Sequence, residues 1–199
     1  MIVYRVVAVP ERLAMAHELA EHVGGQVVLD ETHQGTFPNH VRALGTADGA
    51  THVVVLEDDA IICADFTQHV ERLIEQRPSH LLGLYVGRQH PRKPQPVIQR
   101  LVASQPAWLD APAMTAALWW AVGYVMPVKD LPSVLADLDA GFQHPWADTD
   151  KRLGHWHAEQ GRLSYPFPSP VDHNDDIPST VSKNRTGRVA WAHCERRPG

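Results

Sequence analysis

The chain has 199 residues, of which 44% are hydrophobic and 21% charged, and its formal net charge is -5 at pH 7. A chain of this length buries roughly 70% of its unfolded surface, so a disordered or fibrous protein, or one that needs disulfides to fold, is excluded. The negative charge argues against a general nucleic-acid coat, and the longest apolar run, residues 114–128, is too short and interrupted to span a bilayer. Two cysteines and an amino terminus without a signal-peptide pattern lead us to expect a cytoplasmic protein.

The first half of the chain alternates between two sequence patterns. Apolar, β-branched stretches predict buried strands over residues 2–9, 26–29, 52–56 and 81–86. Helical spacing of apolar residues predicts helices over residues 11–23, 38–45 and 65–76. Such alternation is typical of a mostly parallel sheet flanked by helices, so we predict an α/β fold.

The second half of the chain is less regular. Prolines interrupt residues 87–112, where we expect a loop with one short strand at 97–102. Residues 113–126 are apolar and are expected in the core, and residues 129–140 and 147–160 are predicted helices. After Tyr165 the chain becomes polar and proline-rich. We therefore predict one domain, residues 1–176, followed by a basic, mobile C-terminal tail, residues 177–199.

The clearest candidate site is the point where the strand predicted at 52–56 runs into Glu57, Asp58 and Asp59. In open α/β sheets, ligands bind outside the carboxyl ends of the strands. If the strand geometry continues, Glu57 and Asp59 share one side and Asp58 lies on the other. Two oxygen ligands on one side suit Mg²⁺ or Mn²⁺ holding a diphosphate. The alternative is that Asp58 and Asp59 cap the helix that follows.

This acidic strand end resembles the metal-binding motif of GT-A-fold glycosyltransferases, and in particular of the family 25, lipopolysaccharide-type group. Later segments resemble motifs of the same group in the same order: WWAVGYVM at 119–126, PWADTD at 145–150, YPFPSPV at 165–171 and PST at 178–180. The resemblance implies a single-domain, GT-A-like α/β fold. Residues 1–86 would bind a nucleotide-sugar donor and residues 87–176 the acceptor.

The resemblance also implies a divalent metal, Mn²⁺ or Mg²⁺, as cofactor. Glu57 and Asp59 are the expected metal ligands. A C-terminal histidine completes the metal shell in many such enzymes, and His173 is the candidate here, with Asp172 and Asp175 as substitutes. A neutral imidazole is a suitable third ligand beside two carboxylates.

A nucleotide sugar, in the first place a UDP-sugar, is the donor that the resemblance implies. The candidate donor-binding residues are Asp30, Asn39, Arg42, Asp58, Lys183 and Arg185. Asp30 would contact the base or ribose, or else it is only a turn residue. Asn39 and Arg42 would face the base or phosphates, or else they belong to a solvated helix face. The basic tail would close over the diphosphate, or else it is disordered.

Transfer with inversion needs a carboxylate base to take the proton of the acceptor hydroxyl. Asp148 and Asp150 are the candidates, and they lie two residues apart at the start of a predicted helix. One reading makes Asp148 the helix N-cap and leaves Asp150 as the base. Capping alone also accounts for both residues, and a retaining enzyme needs no such base.

The candidate acceptor-binding residues are Arg88, Arg92, Lys93 and Trp146. The three basic residues belong to a stretch without acids, residues 86–109, which suits a polyanionic acceptor. Compact phage-encoded transferases of the TET-associated type, which glycosylate hydroxymethylated cytosine in DNA, fit a small GT-A core with such loops. A saccharide or protein acceptor, and a merely solvated loop, are the alternatives.

Two other functions remain open at this point. A nucleotidyltransferase also places a metal and an acidic strand end beside a nucleotide, but such enzymes usually carry a Gly-rich, Lys/Arg-containing loop after the first strand. In this chain the segment after the first predicted strand is Val9-Pro10-Glu11-Arg12, which is not glycine-rich, so the nucleotidyltransferase ranks lower. The other function is a non-catalytic glycan- or nucleic-acid-binding module on a degenerate transferase fold.

Overall fold

The structure is a computed structural model that describes residues 1–47, 49–110, 118–139, 149–178 and 187–194. In these residues the strands are β1 (Ile2–Ala8), β2 (Gln26–Leu29), β3 (His52–Glu57), β4 (Ala60–Ile62), β5 (Leu81–Gly83), β6 (Trp108–Asp110), β7 (Gly123–Pro127), β8 (Leu163–Pro166) and β9 (Val171–His173). The helices are α1 (Leu13–Val23), α2 (Thr36–Gly45), α3 (Phe66–Gln76), α4 (Gln95–Val102), α5 (Leu131–Asp139) and α6 (Thr149–Glu159).

Seven of these strands form one sheet in the order β2-β1-β3-β7-β5-β8-β6. The pairs β1–β2, β1–β3 and β5–β8 are parallel, whereas β7 pairs antiparallel with both β3 and β5, and β6 antiparallel with β8. Strands β1, β2, β3, β5 and β8 therefore run in one direction. The predicted fold class, a mostly parallel sheet flanked by helices in a single α/β domain, is confirmed.

The core is built on β3, which lies between β1 and β7. The four residues from Val53 to Leu56 are fully buried, as expected of a strand covered on both faces. Helix α1 buries Ala16, Ala20 and Val23 against this sheet and ends at Gly24, whose positive φ of 64° suits a left-handed helix cap. The acidic residues that follow β3 are thus held at the end of the best-packed strand.

The region predicted as a strand at 97–102 is instead helix α4. Its β-branched residues suggested a strand, but only Ile98 and Val102 are buried, four residues apart and so on one helical face. Pro94 is the N-cap and Pro96 lies in the first turn, where a missing N–H is tolerated. The strand predicted at 81–86 is shorter, and β4, β6, β8 and β9 were not predicted.

Part of the predicted C-terminal tail packs against the domain. Within the described residues 187–194, the Trp191 amide donates to the Val86 carbonyl at 2.9 Å and the Cys194 amide donates to the Ser169 carbonyl at 3.1 Å. The Arg88 amide in turn donates to Val189. These backbone bonds place this end of the chain beside the carboxyl end of β5.

Candidate functional site

A cavity of about 280 Å³ opens where the parallel strands β1, β2 and β3 end. Its lining combines backbone of β1, acidic residues, histidines and two arginines: Val7, Ala8, Val9, Arg12, Asp30, His33, Gly35, Thr36, Asn39, His40, Glu57, Asp58, Asp59, His173 and Arg188. This is the edge of the sheet at which ligands bind in open α/β folds. The cavity is therefore the candidate functional site.

The acidic residues do not alternate as an extended strand would. Strand β3 ends at Glu57, and a turn follows at Asp58 and Asp59. Both aspartates contact the same atom, Nη1 of Arg12, at 2.8 Å from Asp58 Oδ1 and 2.7 Å from Asp59 Oδ2. The expectation that Asp58 lies on the opposite side from Asp59 is wrong, because the turn brings both carboxylates to one cation.

Arg12 is buried at this acidic turn. The short 3-10 helix Pro10–Arg12 joins β1 to α1, and Nη2 of Arg12 also donates to the Pro178 carbonyl at 2.5 Å. Burial alone would lower the pKa of Arg12, but the hydrogen bond to Asp58 and the charges of both aspartates raise it. Arg12 is therefore a permanent positive charge within the cavity wall.

His173 reaches Asp59 through a second, small sheet. Strand β4 begins directly after the acidic turn and pairs antiparallel with β9, so that Ala60 lies opposite His173. The Nε2 atom of His173 is 3.3 Å from Asp59 Oδ2. Burial would raise the pKa of Asp59, but His173 and Arg12 together lower it. The structure thus brings together two of the three predicted metal ligands.

Glu57, the third predicted ligand, faces a different neighbour. Its Oε1 lies 3.7 Å from Nε2 of His40, which is fully buried on α2. Burial raises the pKa of Glu57 to about 8, with the negative charge of Asp59 adding to the shift. About a quarter of the Glu57 side chain (26%) remains exposed at the cavity.

These positions do not fit the predicted metal centre. Within the described part of the chain, no group of three His, Cys, Asp or Glu residues could hold a metal ion. Arg12 already binds the carboxylate of Asp59 at 2.7 Å. A divalent ion on Asp59 would lie beside this buried guanidinium, and two like charges at such a distance repel strongly.

The three donor-binding candidates Asp30, Asn39 and Arg42 are close together but are bonded mainly to the protein. Asp30 accepts hydrogen bonds from the amides of Gln34 and Gly35, at 2.9 and 2.8 Å, as a turn residue does. The amide of Asn39 donates to the carbonyls that end β1 and β2. Asp30 and Asn39 line the cavity, whereas Arg42 bonds to both of them from outside it.

Asp150, one of the two candidate bases, lies in the first turn of α6. Its negative charge acts on His40, Tyr124 and Tyr165, which are all buried. His40 Nδ1 lies 3.1 Å from the Tyr124 hydroxyl, and burial lowers the pKa of His40 to about 4. A chain of buried polar groups thus extends from Glu57 towards the start of α6. The other candidate, Asp148, lies outside the described residues.

The basic residues predicted for the acceptor lie on the surface. Arg88, Arg92 and Lys93 are exposed, and the Arg88 guanidinium lies 5.5 Å from the centre of the Trp191 ring. Three further candidates, Trp146, Lys183 and Arg185, are outside the described residues.

The sequence analysis did not single out Arg12 or His40 as site residues, and it included Arg188 only as part of the basic tail expected to close over the diphosphate. Arg188 is anchored at the cavity by Asp175 and by the Ile177 carbonyl. The one available signal was that Arg188 belongs to an acid-free stretch of the C-terminal region.

No protein-family model matches the chain, and no curated protein matches it. Among solved structures, A197 from STIV matches with a TM-score of 0.51 and 11% identity, over 99% of this chain and 98% of A197. A Bacillus anthracis protein described as a glucose-1-phosphate thymidylyltransferase matches with a TM-score of 0.48 and 10% identity, over 87% of this chain and 89% of its own. S. aureus TarS 1-349 matches with a TM-score of 0.45 and 13% identity, over 96% of this chain and 60% of the TarS chain.

Likeness at this level of identity shows the fold alone. The resemblance to family 25 and to the phage-encoded transferases therefore stays a prediction. No helix in the described part of the chain is both long and apolar enough to cross a membrane.

Proposed function

We propose that the chain is a glycosyltransferase that takes a sugar from a nucleotide-sugar donor, in the first place a UDP-sugar, and moves it to an acceptor hydroxyl. The observation that carries the proposal is the cavity at the ends of β1, β2 and β3, in which polar side chains, the acidic turn and two arginines converge. The nucleoside half of the donor would lie against Asp30 and Asn39. The diphosphate would lie towards the turn at Asp58 and Asp59.

Asp150 is the proposed catalytic base if transfer inverts the sugar, with Asp148 as the second candidate. The acceptor oxygen would attack the anomeric carbon as its proton passes to the carboxylate, and the bond from that carbon to the diphosphate would break. The nucleoside diphosphate leaves with the bonding electron pair. The negative charge of Asp150 acts on His40, which lines the cavity, and on Tyr124, and this supports the role.

A polyanion is the proposed acceptor, and a hydroxymethylated base in phage DNA is the first choice. Arg88, Arg92 and Lys93 are exposed on the segment that follows β5, and Trp146 is the proposed stacking residue. Lys and Arg contacts to phosphates supply affinity without base specificity. Saccharide and protein acceptors are the competing outcomes of the acceptor test.

The test of the proposed function is a thermal-shift panel of nucleoside diphosphates and nucleotide sugars, followed by product analysis with the donor that binds. A ligand at about 100 times its Kd stabilises by about 2.7 kcal/mol, which corresponds to roughly 5 to 10 °C for a chain of this size. We expect one nucleotide sugar to give such a shift. Asp150→Asn should keep this shift and lose at least about 100-fold in turnover. No shift with any nucleotide in a folded sample would refute the proposal.

A nucleotidyltransferase is the second candidate, because a basic residue, Arg12, follows the first strand and lines the cavity. An oxygen of a sugar phosphate would attack the α-phosphorus of a nucleoside triphosphate, which forms a nucleotide sugar and releases pyrophosphate. That product separates it from a glycosyltransferase, which releases a nucleoside diphosphate. A binding module would form neither product.

A further inference from the structure

We propose that the positive charge that holds the donor diphosphate comes from Arg12 and Arg188, and that donor binding needs no divalent cation. This inference rests on the proposed function, because it assigns the phosphate subsite of the same cavity. It replaces the Mn²⁺ or Mg²⁺ expected from the resemblance with two side chains of the chain itself.

The first argument is that the two guanidinium groups are bonded to consecutive carbonyls. Nη2 of Arg12 donates to the Pro178 carbonyl at 2.5 Å, and Nη2 of Arg188 donates to the Ile177 carbonyl at 3.1 Å. Both side chains line the cavity. One short segment of backbone therefore binds both guanidinium groups at the cavity, although the two arginines come from opposite ends of the chain.

The second argument is that both arginines are held in place and keep free N–H donors. Arg12 uses Nη1 for Asp58 and Asp59, and Arg188 uses Nε for Asp175 at 3.2 Å. A guanidinium has five N–H groups, so the bonds to described residues occupy three on Arg12 and two on Arg188. The remaining donors suit phosphate oxygens, for which planar, bidentate arginine is the favoured partner.

The third argument is the charge of the acidic turn. In metal-dependent sites the cation offsets the carboxylates and binds the phosphates at the same time. Here Arg12 already binds both Asp58 and Asp59 at hydrogen-bonding distance, and Glu57 lies beside His40 instead. Arg12 thus occupies the place in which the sequence pattern suggested a metal.

The test is isothermal titration of nucleoside diphosphates (UDP, GDP, ADP, CDP and TDP) into the full chain, with EDTA or with Mn²⁺. The variants are Arg12→Gln and Arg188→Gln. Arg72→Gln, which removes an exposed arginine from α3, is the matched control for a lost surface charge. Circular dichroism confirms that each variant is folded.

We expect the wild type to bind one diphosphate with a Kd that agrees within about twofold between EDTA and Mn²⁺, and each arginine variant to bind at least about tenfold more weakly. Arg72→Gln should bind like the wild type. If Arg12→Gln leaves the buried aspartates unpaired and does not fold, Arg188→Gln and the wild-type comparison carry the test.

Two other results overturn the inference and are distinguishable from each other. Diphosphate binding that requires Mn²⁺, or that survives the loss of Arg188, overturns the inference and leaves the proposed function standing. No binding of any diphosphate in either condition overturns both.

Discussion

The substitution Gly154→Ala tests the packing that holds α6, the helix that carries Asp150, against the domain. A Cβ atom on Gly154 would lie 2.7 Å from the backbone nitrogen of Leu118 and 3.0 Å from its Cα atom. Contacts of this kind with backbone cannot be relieved by a change of rotamer. Gly45, exposed at the end of α2, has nothing within 4 Å of the same added atom and is the matched control.

The two substitutions should change stability in opposite directions. Alanine is favoured over glycine in a helix by about 1 kcal/mol at most, and Gly45→Ala should gain about 0.5–1 kcal/mol. Overpacking costs about 1–3 kcal/mol, and the backbone clash at Gly154 puts the substitution at the upper end of that range. The net expectation for Gly154→Ala is a loss of about 2 kcal/mol.

Thermal unfolding followed by circular dichroism measures both effects. At roughly 2–4 °C per kcal/mol for a chain of this size, Gly154→Ala should lower the Tm by about 4–8 °C and Gly45→Ala should raise it by about 1–4 °C. A Tm for Gly154→Ala at or above the wild-type value would mean that α6 does not rest on Leu118. The position assigned to Asp150, one helical turn earlier, would then be wrong as well.

Two further predictions concern pH and salt. Burial lowers the pKa of His157 from 6.5 to about 4 despite the Asp130 carboxylate at 3.2 Å, so the unfolded chain takes up a proton that the folded chain does not. The contribution of His157 to stability should therefore fall by roughly 3 kcal/mol as the pH drops from 6.5 to 4, and urea titrations of His157→Gln should show a flatter profile over this range than the wild type. If the acceptor is DNA, replacing Arg92 and Lys93 by Gln should reduce the slope of log K against log salt by about 1 per lost phosphate contact. An unchanged slope would count against a nucleic-acid acceptor.

The parts of the fold that could be predicted are those with a long, regular apolar pattern. Strand β2 was predicted with the observed bounds, and β1, β3 and the first three helices within a few residues, because the strands are continuous apolar runs and each helix buries residues at helical spacing. Strands β4, β6 and β9 have only three residues each, too few for a period to show. Helix α4 was misread because its β-branched residues favour strands, while the two buried ones lie on one helical face.

From the residues alone, the candidate site could be predicted only at the acidic strand end, whereas Asp30, Asn39 and His173, which also line the cavity, were expected from the family resemblance. Glu57, Asp58 and Asp59 stand out because a fully apolar strand ends in three consecutive acids. The contacts of Arg12 join it to residues 46, 47 and 166 positions away, so the sequence contains no local signal for them. The position of His173 beside Asp59 depends likewise on the pairing of β9 with β4.

The buried cluster of Arg12, Asp58 and Asp59 links the stability of the domain to its proposed chemistry. Removing one partner of a buried ion pair leaves an uncompensated charge and costs about 3–5 kcal/mol, so each of these side chains is needed for folding as well as for binding. Loss of activity in Asp58 or Asp59 variants would therefore not by itself identify a metal ligand. Substitution of Arg188 is a more specific test of the phosphate subsite, because its carboxylate partner, Asp175, follows β9 and does not belong to the acidic turn. A loss of diphosphate affinity there, with the fold intact, would locate the phosphate subsite without disturbing the core of the domain.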